Sequence, residues 1–271
     1  MSEAEAKSAA PSAELLEWPK KDNRRLLHAV YRVGDLDRTI KFYTEALGMK
    51  LLRKRDIPEE KYSNAFLGFG PEESHFVVEL TYNYGVSSYD IGLVLDISPL
   101  LLRCKFSEEL GLGAGNWDFV LVLVEEVRAK GGNVTREPGP DPDGYTFEII
   151  QRPSTPEPLC QVMLRVGDLE RSIKFYEKAL GLKLLRTIER PEYKEDQTTI
   201  LELTYNYGVT EYTKGNAYAQ IAIGTDDVYK SAEVVNLVTQ ELGGKITRQP
   251  GPIPDLTPRS LLFWIQMAGK L

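Results

Sequence analysis

Histidine and cysteine are both scarce in this chain, whose 271 residues include only two of each. The two cysteines, Cys104 and Cys160, are too few for a disulfide framework, and without a secretory signal they indicate a reducing compartment. The two histidines, His28 and His75, stand in no short metal-binding motif of the zinc-finger or His-x-x-x-His kind. Any metal site must therefore be assembled from residues that are far apart in the sequence.

Long apolar runs and an excess of basic charge are missing as well. No stretch reaches the roughly 18 apolar residues of a membrane span. The net charge of −7 argues against a nucleic-acid surface. The first 20 residues lack both the apolar segment of a signal peptide and the arginine richness of a transit peptide. These features predict a cytoplasmic protein with neither nucleic-acid nor membrane partners, and a disordered tail over residues 1–24.

Two long segments of the chain have closely similar sequences. LLHAVYRVGDLDRTIKFYTEALGMKLLR begins at Leu26 and LCQVMLRVGDLERSIKFYEKALGLKLLR at Leu159, an offset of 159 − 26 = 133 residues. ELTYNYGV also occurs twice, and TREPGP is followed later by TRQPGP. A repeat of this size indicates two fused homologous domains rather than a solenoid. We predict domain one over residues 25–152, a proline-rich linker over 153–158 and domain two over 159–271.

Each copy has the pattern of strand–helix–strand modules. An alternating strand leads into a helix that Asp35 or Asp168 is placed to cap, and further strands follow. Paired modules of this kind predict an α+β fold with mixed sheets. The repeat is broken in two places. Residues 93–123 have no counterpart in the second copy, and the sequence after about Pro254 has no equivalent of the DPDGYTFEII motif of the first copy.

Alternation also places polar side chains on one face of two strands in each copy. The residues are His28, Arg32, Glu79 and Asn83 in the first copy, and Gln161, Arg165, Glu202 and Asn206 in the second. Singly, such a carboxylate usually lies on a solvated face, and a His or Gln among apolar residues is usually a satisfied buried group. Their occurrence together in both copies favours the wall of a concave polar site. A further carboxylate, Glu148, stands between Phe147 and Ile149 in an apolar strand.

These stretches, with DPDGYTFEIIQR and STPEPLCQVMLRVGDLERS, resemble glyoxalase I (lactoylglutathione lyase) of the plant, two-domain, single-chain type, in the vicinal oxygen chelate superfamily. The resemblance covers most of residues 26–79 and 144–247. It implies two tandem glyoxalase domains with the vicinal oxygen chelate fold, in a monomer that is an internal pseudo-dimer. It also implies isomerisation of the methylglyoxal–glutathione hemithioacetal to S-lactoylglutathione, with a divalent metal, nickel or zinc, and a glutamate that moves the proton.

The resemblance assigns two sites to the junctions between the copies. In the first, Gln161, Glu202 and Glu148 are metal ligands, and Glu148 is also the proton-transfer residue. Arg165 and Asn206 match positions that contact the glutathione part of the substrate. The second, degenerate site has His28, Glu79 and Gln220 as ligands, with Arg32 and Asn83 at the substrate positions.

The chain departs from the family pattern at one ligand. The histidine expected before the second helix of the first copy is absent, and His75 lies four residues from Glu79, about 13 Å along a strand. GPVKGG-like text is also missing between Pro140 and Asp141. These departures fit either a divergent isoform or an aberrant gene model, and they predict turnover far below that of an intact relative.

Two other functions are weighed against the lyase. A non-catalytic homologue that keeps a glutathione-conjugate or metal pocket is favoured by the missing histidine. An extradiol dioxygenase needs two histidines and one glutamate on iron, which the misplaced His75 disfavours.

Overall fold

A computed structural model describes residues 13–93, 102–103, 141–145, 147, 149–150, 157–185, 198–252 and 259–264. The strands are β1 Arg25–Arg32, β2 Lys50–Ile57, β3 Tyr62–Gly68, β4 Val77–Asn83, β5 Leu102–Arg103, β6 Ile149–Ile150, β7 Gln161–Arg165, β8 Ile200–Thr204, β9 Tyr218–Gly224, β10 Lys245–Pro252 and β11 Arg259–Trp264. The helices are α1 Trp18–Lys21, α2 Leu36–Glu45, α3 Leu169–Leu180 and α4 Val228–Leu242, with a 3₁₀ turn at Pro58–Glu60. Within these ranges, no helix has the length and apolar character needed to cross a bilayer.

The main sheet contains strands from both copies of the repeat. Its order is β2-β3-β4-β1-β9, so that β1 of the first copy lies next to β9 of the second. Strand β1 runs parallel to β4 and antiparallel to β9, which sets Val30 opposite both Glu79 and Gln220. The predicted α+β architecture is confirmed, and one junction between the copies runs through this sheet.

Both first helices begin where the sequence predicts. The carboxylate of Asp35 accepts a hydrogen bond from the Arg38 N–H at 2.9 Å, and that of Asp168 from the Arg171 N–H at 3.0 Å. Each satisfies one of the free N–H groups of a helix start. Helix α3 ends at Gly181, whose φ of +69° is the left-handed conformation that glycine adopts most readily.

Two apolar cores hold the elements together. In the first, Tyr31 and Leu80 of the main sheet pack against Phe42 of helix α2. The second is smaller and packs Phe175 of α3 against Val234 of α4. Because Leu80 lies in the first core, its neighbours on β4, one residue away on either side, project to the opposite face of the sheet.

The N-terminal segment corrects one prediction. Residues 13–24 were assigned to a disordered tail, but they contain helix α1, and Leu15, Leu16 and Trp18 pack against the second core. The physical reason is that these apolar side chains have a complementary surface on α3 and α4, which local composition does not show. Residues 1–12 lie outside the described part of the chain.

The two breaks in the repeat and the linker are described only in part. Within residues 93–123, Leu102–Arg103 forms β5, paired with β6, and most of the remainder lies outside the described ranges. Of the linker, Glu157 is buried and accepts hydrogen bonds from the Phe76 N–H at 2.8 Å and the Leu159 N–H at 3.1 Å. Strand β10 continues through the Pro-Gly-Pro segment of residues 250–252, where it pairs with β11.

Candidate functional site

In the first copy, His28 and Glu79 meet across β1 and β4. The His28 Nε2 atom lies 3.3 Å from Glu79 Oε2. Glu79 Oε1 accepts a hydrogen bond from the Asn64 side-chain amide of β3 at 2.7 Å, and a longer one from the Thr81 hydroxyl at 3.4 Å. Three adjacent strands therefore fix the position of this carboxylate.

Two arginines of β2 lie on the same face. The Arg53 guanidinium sits 3.5 Å from the centroid of the Phe66 ring, which the His28 ring meets edge-on with centroids 5.5 Å apart. Arg55 donates from Nε to the side-chain oxygen Oδ1 of Asn64 at 3.3 Å. Asn64 thus connects a guanidinium on one side to the Glu79 carboxylate on the other.

This environment determines the charge of the pair. Burial lowers the pKa of His28 to about 4, and the positive charges of Arg53 and Arg55 act in the same direction. Burial raises the pKa of Glu79, although the Asn64 hydrogen bond and both guanidinium groups oppose that shift. His28 is consequently a neutral imidazole at neutral pH, which is the form that coordinates a metal ion.

The remaining candidates of the second, degenerate site lie on β1, β4 and β9. Gln220 is exposed on β9, where it pairs with Val30, beside the pairing of Ala222 with His28. The Arg32 guanidinium donates to the Asn216 carbonyl at 2.6 Å. The Asn83 amide donates to the Tyr89 hydroxyl at 2.8 Å. The structure therefore brings the strands of all five residues together.

The second copy repeats the central pair with a different first residue. The Gln161 side-chain amide of β7 donates to Oε2 of Glu202 on β8, and the Thr204 hydroxyl lies 3.3 Å from Glu202 Oε1, as Thr81 does from Glu79. Gln161 is buried and Glu202 is half-buried. Strands β7 and β8 are parallel in the register of β1 and β4.

The other residues of this site are only partly described. Arg165 donates to the Leu93 carbonyl at 3.4 Å, and Asn206 is exposed. Glu148, the predicted proton-transfer residue, lies outside the described residues.

The chemistry of these donors fits a divalent metal. A neutral imidazole with a carboxylate, and an amide with a carboxylate, are ligand types that such ions accept. Within the part of the chain that the structure describes, no cluster of three or more His, Cys, Asp or Glu side chains is placed to hold a metal. A metal held by either pair would therefore need further ligands from elsewhere.

Comparisons with known proteins match this architecture. The family model described as the Glyoxalase/Bleomycin resistance protein/Dioxygenase superfamily matches residues 25–156 and 159–257. This chain belongs to that glyoxalase superfamily.

This chain is similar to plant proteins over nearly its whole length. The lactoylglutathione lyase GLX1 of Arabidopsis thaliana is 67% identical over 276 residues, covering 94% of this chain and 92% of its own. A lactoylglutathione lyase of Oryza sativa subsp. japonica is 61% identical, with 96% and 92% covered. The crystal structure of glyoxalase I from Zea mays superposes with a TM-score of 0.81 at 60% identity, covering 93% of this chain and 92% of that one.

Several side chains around the His28–Glu79 pair were not predicted from the sequence. They are Arg53, Arg55, Asn64 and Phe66, on β2 and β3. The period-two alternation of the β2–β3 hairpin was the signal for their shared face, whereas the register that sets Arg53 opposite Phe66 and Phe66 opposite Glu79 is seen only in the structure. From first-strand residue to glutamate, the first copy spans 79 − 28 = 51 positions and the second 202 − 161 = 41, so the second copy is ten residues shorter between these two landmarks.

Proposed function

We propose that this chain is a metal-dependent lactoylglutathione lyase that isomerises the methylglyoxal–glutathione hemithioacetal to S-lactoylglutathione. The observation that carries the proposal is the pair formed twice, His28 with Glu79 and Gln161 with Glu202, in a chain of which 94% aligns with a plant lactoylglutathione lyase. The alternative of a non-catalytic homologue receives no support from the relatives compared.

The working site in this proposal is the one that contains Gln161, Glu202 and Glu148. It has a carboxylate beyond the central pair, whereas the second site offers His28, Glu79 and the exposed Gln220. Gln161 and Glu202 lie side by side, as His28 and Glu79 do, so it is the additional carboxylate that favours this site.

Proton transfer is assigned to Glu148. It removes the proton from the carbon that carries the sulfur and returns it to the neighbouring carbonyl carbon. The hydroxyl proton passes to the former carbonyl oxygen, so that the product is an isomer of the substrate. Gln161, Glu202 and Glu148 would hold the metal, nickel or zinc. When bound, this ion supplies positive charge where the reaction builds negative charge on the substrate oxygens.

Binding of the glutathione part is assigned to Arg165 and Asn206. The guanidinium is suited to a substrate carboxylate. Both residues follow the metal-ligand positions on β7 and β8, at the same end of two parallel strands. Arg32 and Asn83 hold the equivalent positions in the second site.

The test is formation of lactoylglutathione, followed by ultraviolet absorbance, in protein supplied with nickel or with zinc. We expect turnover that falls by about 10²–10⁴-fold in Glu148→Gln, the usual contribution of a general acid–base residue. Glu241→Gln, which alters an exposed carboxylate paired with Lys178, is the matched control and should retain full turnover.

Other outcomes redirect the proposal. No turnover with either metal would favour a non-catalytic homologue. Loss of turnover in Glu79→Gln but not in Glu148→Gln would move the chemistry to the second site. Elemental analysis of the purified protein identifies the metal.

A further inference from the structure

Two segments that are equivalent in the repeat contact each other. They are GVSSYDIGL, residues 85–93, which follows β4, and GVTEYTKGN, residues 208–216, which follows β8. The offset between them is 208 − 85 = 123 residues. Gly92 of the first segment lies against Gly215 of the second, and we call this contact the glycine crossing.

Backbone hydrogen bonds hold the glycine crossing together. The Leu93 N–H donates to the Thr213 carbonyl at 2.6 Å, and the Asn216 N–H donates to the Asp90 carbonyl at 2.7 Å. At the offset of 123 these two hydrogen bonds are counterparts of each other, so the crossing has approximate twofold symmetry. The Asn216 side-chain oxygen also accepts from the Asp90 N–H at 2.8 Å.

The close approach of the two segments requires glycine. Gly92 and Gly215 have φ angles of +68° and +60°, in the left-handed region that other residues avoid. A Cβ atom on Gly92 would lie 2.5 Å from the carbonyl carbon of Lys214, and one on Gly215 would lie 2.5 Å from the Gly92 N atom. A side chain at either position would therefore displace the crossing.

An arginine from each copy donates to this crossing. Arg32, at the end of β1, donates to the Asn216 carbonyl at 2.6 Å, and Arg165, at the end of β7, donates to the Leu93 carbonyl at 3.4 Å. The two arginines are counterparts at the offset of 165 − 32 = 133 residues. Each guanidinium thus contacts the segment that belongs to the other copy.

We propose that Gly92 is a positioning residue for Arg165: it fixes the Leu93 carbonyl to which the guanidinium donates, and so orients the guanidinium for a glutathione carboxylate. The inference rests on the proposed function, in which Arg165 binds the glutathione part of the substrate. Arg165 lies four residues after Gln161 on β7, on the same face of the strand. A side chain held in its binding orientation loses less conformational freedom when the ligand binds.

Gly92→Ala tests the proposal by binding of S-methylglutathione, a thioether that cannot isomerise, measured by titration calorimetry. We expect its Kd to rise by about threefold or more, the effect of uncoupling residues in contact. KM for the hemithioacetal should rise in parallel while kcat changes by less than about twofold, and the metal content should stay the same.

The matched control is Gly48→Ala. Gly48 has a φ of +69°, and among the described residues no atom lies within 4 Å of the position that its Cβ would take. The control therefore introduces the same backbone strain without the clash, and it should leave the Kd unchanged. Thermal unfolding monitors the stability of both variants.

A double-mutant cycle separates positioning from general disruption. Arg165→Ala should weaken S-methylglutathione binding by about 10–100-fold, the cost of a lost charge-assisted hydrogen bond. Adding Gly92→Ala to that variant should weaken binding no further, because the guanidinium through which it acts is gone. A further loss as large as in the wild-type background would overturn the positioning role.

The remaining outcomes distinguish this inference from the proposed function. If Gly92→Ala binds the thioether as tightly as Gly48→Ala does, the positioning role is wrong and the proposed function stands. If the wild type binds it but has no turnover with either metal, the catalytic function fails and the Kd values alone decide the positioning role. If the wild type does not bind it, both fail.

A milder variant keeps the inference testable if Gly92→Ala does not fold. Asn216→Ala removes the acceptor for the Asp90 N–H and adds no atoms to the crossing. We expect a smaller rise in the Kd for S-methylglutathione. An unchanged Kd in that variant would refute the proposal.

Discussion

Asp141 shows how strongly a single buried carboxyl can respond to its surroundings. Burial raises its pKa to about 7, and the nearby Asp143 acts in the same direction. The N–H groups of Tyr145 and Asp143 and the hydroxyl of Tyr43 oppose the shift. Because the folded state holds this proton more tightly than the unfolded state, this group's contribution to stability declines as the pH rises from about 4 to about 7.

Asp141→Asn should remove that decline. Each unit of pKa shift corresponds to about 1.4 kcal/mol, so the free energy of unfolding of the wild type relative to the variant should fall by roughly 2–3 kcal/mol between pH 5 and pH 8. Urea unfolding at the two pH values measures it. Asp37→Asn, which alters an exposed carboxylate paired with Lys54, is the control. A difference that stays constant with pH would contradict the assignment of a raised pKa to Asp141.

At the same scale, the sequence predicts the central pairs of the candidate site but not their surroundings. His28 with Glu79, and Gln161 with Glu202, could be predicted because alternation assigns each residue to a face and the repeat supplies the pattern twice. Asn64 could not, since its contact with Glu79 depends on the register between β3 and β4. Register is set by hairpin geometry and packing rather than by the residue's own neighbours in sequence.

Among the elements, the N-terminal segment is held by a buried ion pair. The Asp22 carboxylate accepts from Arg24 Nε at 2.6 Å and from the Asp226 N–H at 2.9 Å. Arg24 also donates to the Ala179 carbonyl at 3.0 Å and to the Ser231 hydroxyl at 2.8 Å. Because these partners belong to α3, α4 and the turn before α4, the segment ties the start of the first copy to the second.

Asp22→Ala should be costly, because it leaves the Arg24 guanidinium buried without its carboxylate. Removing one partner of a buried pair destabilises a protein by about 3–5 kcal/mol. The control is Glu17→Ala, which breaks an exposed pair with Lys20 and should cost less than about 1 kcal/mol. Chemical denaturation measures both, and equal effects would show that the segment contributes little to stability.

The elements that local sequence signals define could be predicted, and those that depend on distant partners could not. Helices α2 and α3 each have an aspartate cap followed by apolar periodicity, and both were expected from the sequence. Helix α1 was not predicted, because its folding depends on packing against α3 and α4. The pairing of β1 with β9 joins residues almost 200 positions apart, and no local pattern specifies such a partner.

At the scale of the whole molecule, duplication places both halves of each proposed site in one chain. A lactoylglutathione lyase of Salmonella typhimurium is 47% identical over 139 residues, which cover 92% of that protein and 47% of this one. That relative has about the length of one repeat. In this chain, β1 of one copy already has β9 of the other beside it, so a junction forms without a second molecule.

We therefore expect a monomer in solution. Pairing of β1 with β9 satisfies within the chain the strand edge that a single copy would present to a partner. Light scattering coupled to size exclusion should give a mass near 30.6 kDa. The activity per molecule should also stay constant on dilution, because no partner dissociates from the site. A mass near twice that value, with activity lost on dilution, would show that the site needs a second copy and that the internal pairing is insufficient.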